Sequence, residues 1–250
     1  MIKKSIFTLF WLIMVFSPLY CEIYQSHSFG VSFLQIKDQL NLGIVFNGIQ
    51  LEYRYGLIWK IQDHEIIYEP KLGVGIAFNR GITAGQLRIT PANVSWTIPF
   101  YDQNGHTIRG GLNFAADYGY QVYPDLNAGN VFWSSEIGIS PIIKYNYQWD
   151  NKSFAVGLQN SLLGFTSHTQ KIEPYFYEFH LLNPTDYFRV PHENMQFGSF
   201  NKYNHTNVSF EFTPGIDNHH SFLYEFDYFG LFYGMRFERL NENLLWKVSL

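Results

Sequence analysis

The stretch 135–149, SEIGISPIIKYNYQW, alternates along its length except at Ile142. Ile137, Ile139, Pro141, Ile143, Tyr145, Tyr147 and Trp149 fall on one side, and Glu136, Gly138, Ser140, Lys144, Asn146 and Gln148 on the other. A period of two belongs to a β-strand, whose successive side chains point to opposite faces. The run also outlasts the usual globular strand of about five or six residues.

The same pattern recurs in both directions. Ile49, Leu51, Tyr53, Tyr55, Leu57, Trp59 and Ile61 alternate with Gln50, Glu52, Arg54, Gly56, Ile58 and Lys60. After a turn at 62–64 come Ile66, Tyr68, Leu72, Val74, Ile76 and Phe78 against Glu69, Lys71, Gly73, Gly75 and Ala77. Val94, Trp96, Ile98 and Phe100 lead through Asp102-Gln103-Asn104-Gly105 into Leu112, Phe114, Ala116, Tyr118 and Tyr120, so hairpins follow one another along the chain.

Alternation alone fits a β-sandwich as well as a membrane barrel. The polar face decides, because a soluble sandwich would expose Lys, Glu and Thr there, whereas this one carries Gly, Ala, Ser and Asn with isolated charges, as a crowded lumen would. Aromatics make up 19% of the 250 residues and charged residues only 15%, a mixture that favours strands over helices. Trp59, Phe100, Tyr101 and Trp149 sit beside short turns, and Tyr118, Tyr120, Tyr123 and Trp133 flank a longer connection, as two interfacial girdles would. The C-terminal Leu244, Trp246, Val248 and Leu250 alternate with Leu245, Lys247 and Ser249. This is similar to the last-strand signal of outer-membrane proteins, with Leu250 where an aromatic is usual.

On these features the mature chain resembles the small β-barrels of the Gram-negative outer membrane, a general class with no diagnostic family motif. The resemblance implies residence in that membrane, contact with its lipids and passage through the barrel-assembly machinery. The fold class expected is therefore all-β, an antiparallel transmembrane barrel. Strands are placed at 27–36, 40–62, 64–78, 84–101, 107–122, 132–149, 152–166, 204–214, 220–240 and 243–250, about ten in all. With both termini periplasmic, the connections at 62–64, 102–105, 150–152 and 215–219 are short, and a long outer loop covers about 167–203. Apolar parity slips at Asn47-Gly48 and near Phe229-Gly230. Reading both slips as turns would give twelve strands and move 167–203 to the periplasmic side, against the usual asymmetry.

The N-terminus reads as an export signal over 1–21, leaving 22–250 as one barrel domain. Lys3 and Lys4 precede an apolar run over 6–16 that is too short to span a bilayer as a helix. Cleavage is expected near Cys21 or Glu22, since Leu19 and Tyr20 stand where a lipidation signal carries small residues. Cys21 is the only cysteine, so no disulfide framework exists. A net charge of −4 offers no basic stripe, which argues against nucleic acid.

Glu52, Arg54, Lys60, Glu69, Lys71, Arg109, Asp117, Glu136, Lys144, Glu211, Glu225, Asp227, Arg236, Glu238 and Lys247 are assigned to the lumen, where their nearly cancelling signs suit ion pairs that plug it. A hydrolase site could be assembled from His219, His220, Ser221, Glu225 and Asp227, loosely similar to barrel-type lipid A deacylases, but only a His-x-Ser spacing carries it. His168, Glu173, Glu178, His180, Asp186, His192 and Glu193 crowd the long loop without a recognised metal spacing. That loop, rich in aromatics and proline, is expected to fold over the barrel mouth. No catalytic, cofactor-binding or metal residue is assigned. The leading expectation is a non-enzymatic outer-membrane barrel of structural, interaction or narrow-channel type; the alternatives are a barrel-embedded lipid hydrolase and a secreted soluble β-sandwich.

Overall fold

The computed structural model describes residues 21–41, 43–127, 131–169, 185, 189–192, 195–215 and 219–250. Apart from Cys21, the expected export signal lies outside them, as does most of the long loop.

Among the described residues thirteen strands run in chain order: β1 Cys21–Asp38, β2 Val45–Ile61, β3 His64–Tyr68, β4 Lys71–Asn79, β5 Ile82–Gln103, β6 His106–Val122, β7 Val131–Trp149, β8 Lys152–Asn160, β9 Leu163–His168, β10 Gln196–Gly198, β11 Tyr203–Thr213, β12 His220–Leu231 and β13 Phe237–Ser249. Both β3 and β4 pair with β2 and β5, forming one wall interrupted at Glu69-Pro70. Likewise β8 and β9 pair with β7, while β11 pairs with β8 and β10 with β9. The thirteen segments thus make ten barrel strands, all antiparallel, closed by β1 against β13. Closure removes the long edges of the sheet; among the described residues only the short β10, paired with β9 alone, keeps a free edge.

Proline explains the irregularities. Pro70 cannot donate to the ladder, and opposite it β5 shifts register between Ile89 and Ala92, around Pro91. Asn104 and Gly105 both take positive φ (54° and 80°), the geometry of the tight hairpin turn that their sequence announces. The other two-residue turns at this end join Ile61 to His64 and Trp149 to Lys152.

The barrel is turned inside out relative to a soluble protein. Phe29, Val31, Phe33, Leu51, Val74, Phe114, Ile143, Leu158, Phe222 and Leu244 are exposed around its outside, whereas Ser32, Gln50, Glu52, Arg54, Asn113, Asp117, Asn241 and Asn243 are buried within. An apolar belt on that scale is untenable in water and is what a bilayer requires. The protein is a membrane-spanning β-barrel.

At the short-turn end, four histidines on the outward face each stack on an aromatic neighbour: His27 on Tyr53, His64 on Trp96, His106 on Tyr147 and His220 on Trp246. Trp149 stacks there on Tyr147 and Phe212, and Phe100 and Tyr101 are exposed. This half of the expected girdle is present. The opposite half is not a lipid-facing ring: Tyr118 and Tyr120 are buried, Tyr118 Oη meets His192 Nε2 at 2.7 Å, and Tyr123 points into the barrel, fully enclosed.

Two boundaries differ from expectation. The last two strands divide at 232–236 rather than after 240, and β1 and β2 meet through 39–44 rather than near 38. Neither parity slip is a bulge or a turn. Gln35 pairs with Asn47 and Ile36 with Phe46 in unbroken register, and β12 continues regularly through Phe229 and Gly230 to Leu231. What changes there is the environment. Beyond the apolar belt the outward positions become polar, as at Gln35, Lys37 and Asn47, and the inward ones become apolar, as at Leu34, Ile36, Phe46, Phe229 and Leu231.

Asp38 ends β1 above the belt, 4% exposed, with its Oδ1 accepting from the Leu40 amide at 2.9 Å. Burial raises its carboxyl to about 6 from the ordinary 3.8. The folded form therefore holds the proton more tightly than the unfolded chain, so the stability it contributes is present below pH 4 and is lost as pH rises through 6. Asp38→Asn, which keeps the acceptor for Leu40, should stabilise the barrel by up to about 3 kcal/mol at pH 8 and leave it unchanged at pH 4. Urea midpoints at the two pH values check this, and equal shifts at both would refute it.

Candidate functional site

The lumen has three tiers, each set by which inward positions of neighbouring strands come level. Nearest the short-turn end is a vestibule, a cavity of about 290 Å³ lined by Glu65, Glu69, Lys144, Asn146, Asn207 and Lys247 among others. Arg54, Arg88, Asp117, His205, Glu225 and Asp227 also face it, from its deeper end.

The second tier is a layer of buried charge crossing the barrel. The Arg54 guanidinium reaches from β2 to β12, donating to both oxygens of Glu225 at 2.9 and 2.7 Å, and also contacts Glu52 at 2.5 Å. Lys71 and Asn243 complete the surroundings of Glu225 at 3.5 and 3.0 Å. Arg88 joins Asp117, at 2.9 Å, to Asp227 across the lumen. Asp117 also accepts from Arg239 at 2.7 Å and from Thr90 at 2.6 Å. His205 lies between Glu136 and Asp227, at 2.6 and 2.8 Å from its two ring nitrogens. Only a doubly protonated imidazole can donate to both carboxylates, and with it the signs in the layer balance. A β-carbon at Gly119 would lie 2.9 Å from both Arg239 Nη1 and Ser134 Oγ, so glycine there makes room for the guanidinium.

The third tier is apolar. Leu34, Ile36, Phe46, Tyr123, Phe132, Tyr203, Phe229, Leu231 and Phe237 pack together inside the end away from the short turns, each no more than 2% exposed. Tyr233, from the β12–β13 connection, lies over them and donates to the Thr166 carbonyl at 2.7 Å; His168 meets the Met235 carbonyl beside it. Most of the loop expected to fold over this mouth lies outside the described residues. Its 190–192 turn lies on the wall at β6–β7, where Ser135 Oγ donates to the Pro191 carbonyl at 2.8 Å. Among the described residues, inward side chains of the strands fill this end of the lumen.

Most charges assigned to the lumen are there, with four exceptions at its rims. Arg236 and Glu238 pair with each other at the rim away from the short turns; at the short-turn rim Lys60 has its ammonium 5.0 Å from the centre of the Tyr24 ring and Arg109 donates to the Asp63 carbonyl at 2.7 Å. Three central members were absent from the sequence assignment. Arg88 has the parity of outward-facing Val94 and Trp96, and only the shift at Pro91 turns it inward. Arg239 was hidden by the misplaced β12–β13 boundary, although counting back from Leu244 places it inward. His205 shares the parity of Glu211 and was legible.

The hydrolase constellation does not assemble. Ser221 Oγ donates to Glu211 at 2.6 Å, Glu225 and Asp227 are held by the charge layer, and His220 stacks on Trp246 outside the barrel. Of the loop's metal-donor residues only His168 and His192 are described.

No protein-family model matches the chain, and comparison with curated proteins finds no relative. Among solved structures, Neisserial surface protein A (NspA) is 11% identical, covering 91% of this chain and 97% of its own, with a TM-score of 0.38. The β domain of the Bordetella autotransporter BrkA is 8% identical over 90% and 98%, with a TM-score of 0.37. An outer membrane channel from Pseudomonas putida F1 is 9% identical over 93% and 96%, with a TM-score of 0.35. Overlaps this loose add no weight; strand pairing and burial by themselves make this chain a ten-stranded barrel of the outer-membrane type.

Proposed function

We propose that this is an exported, integral outer-membrane barrel that conducts nothing and acts as a structural or interaction protein through its outer surface. The reading is carried by one observation: a balanced charge layer and an apolar seal lie in series across the lumen. Ion pairing neutralises the charges a solute would move between, and a close-packed apolar tier excludes water. Export through the signal at 1–21 and insertion by the barrel-assembly machinery go with that placement, and the lipids of the membrane are its first partners. The lipid-hydrolase alternative has no support in the surroundings of Ser221.

Two measurements test the proposal. Protein extracted from the outer-membrane fraction should migrate faster unboiled than boiled, the behaviour of a closed barrel. In planar bilayers the folded protein should give no current steps at either polarity. Discrete steps in pure preparations would replace this reading with a narrow channel.

A further inference from the structure

In the vestibule, the charged groups differ in how well they are satisfied. Lys247 holds Glu211 at 3.0 Å, and Lys71 lies 3.5 Å from Glu225. By contrast, Lys144 Nζ reaches from β7 across to β3 and stops 4.0 Å from Glu65. Glu69 stands equally far from Arg54, at 4.0 Å. Neither separation is a hydrogen bond. Lys144, Glu65 and Glu69 thus face one cavity with donor and acceptor capacity unused, and their side chains are 18–25% exposed, open to a ligand. Amides line the wall beside them: Gln159 donates to Asn113 at 3.1 Å, and Asn113 to Asn93 at 2.8 Å.

We infer that the vestibule is a binding site for a small zwitterion the size of an α-amino acid, with Lys144 taking its carboxylate and Glu65 and Glu69 its ammonium. A cation alone would face Lys144, and an anion alone would face two carboxylates; only a solute bearing both charges meets each group with its opposite. A volume near 290 Å³ admits one such molecule, and the polar wall suits it better than an apolar one. The inference rests on the closed-barrel reading for one feature, that the solute enters and leaves from the periplasmic side.

The test is calorimetric titration of the detergent-folded barrel with L-glutamine, with acetate and methylammonium as its two halves. Glutamine should bind at least tenfold more tightly than either half. Lys144→Met and Glu65→Gln should each weaken it about tenfold or more, the loss of one charge-assisted contact, while the unboiled gel shift persists. No heat from glutamine, equal binding of acetate, or binding untouched by both substitutions would overturn the site. The readout is heat, not current. A conducting barrel that still binds glutamine would refute closure and leave the site standing, whereas a silent barrel indifferent to glutamine would refute the site alone.

Discussion

Arg88→Met is expected to destabilise the folded barrel by about 3–5 kcal/mol, the range for removing one partner from a buried ion pair. Arg88 is 4% exposed and stands between Asp117 and Asp227, so methionine would leave the charge of both carboxylates less compensated within the lumen. Arg239 still reaches Asp117 and His205 still reaches Asp227, which keeps the loss toward the lower end. Adding Asp227→Asn should recover part of it, because the penalty is the stranded charge rather than the missing contact. Urea unfolding followed by loss of the fast-migrating band measures both. A change under about 1 kcal/mol would mean that water screens the layer, and the plugged lumen would have to be abandoned.

Phe229→Ala should cost a comparable 3–5 kcal/mol, roughly the price of a buried aromatic truncated to a methyl group. Phe229 joins two tiers: its ring lies 6.3 Å from Phe237 within the seal and 5.5 Å from His205, with the Arg239 guanidinium 5.2 Å from its centre. Despite that loss the variant should remain silent in planar bilayers, since the charge layer still crosses the lumen below it. Current steps in Phe229→Ala alone would show that the apolar tier is the sole barrier.

Much of the architecture could be read from the chain. The alternation around Ser135 and Trp149, the Asn104-Gly105 turn and the unequal connections point to a ten-stranded barrel because each is a local consequence of strand geometry. Boundaries failed where the inside and outside of the barrel exchange polarity. At Phe46 and at Phe229 the pattern looks like a slip, yet the strand does not bend; the bilayer ends there, and with it the demand for apolar residues outside. A period-two pattern records which environment each face meets, not where the backbone turns.

The lumen was legible in composition and illegible in connection. That Glu52, Arg54, Asp117, Glu225 and Asp227 face inward follows from parity, which the sequence by itself determines along with strand direction, the apolar belt and the tight turns. Which acid meets which base, that Arg88 rather than a neighbour bridges Asp117 to Asp227, and that a vestibule remains beneath a sealed mouth were decided only by the tertiary structure. The physical reason is that these contacts join strands distant in the chain, and their alignment depends on the accumulated register of every hairpin between them, including the shift at Pro91. One residue of register turns every later side chain on that strand to the opposite face, so the pairing across the lumen exists only once the barrel has closed.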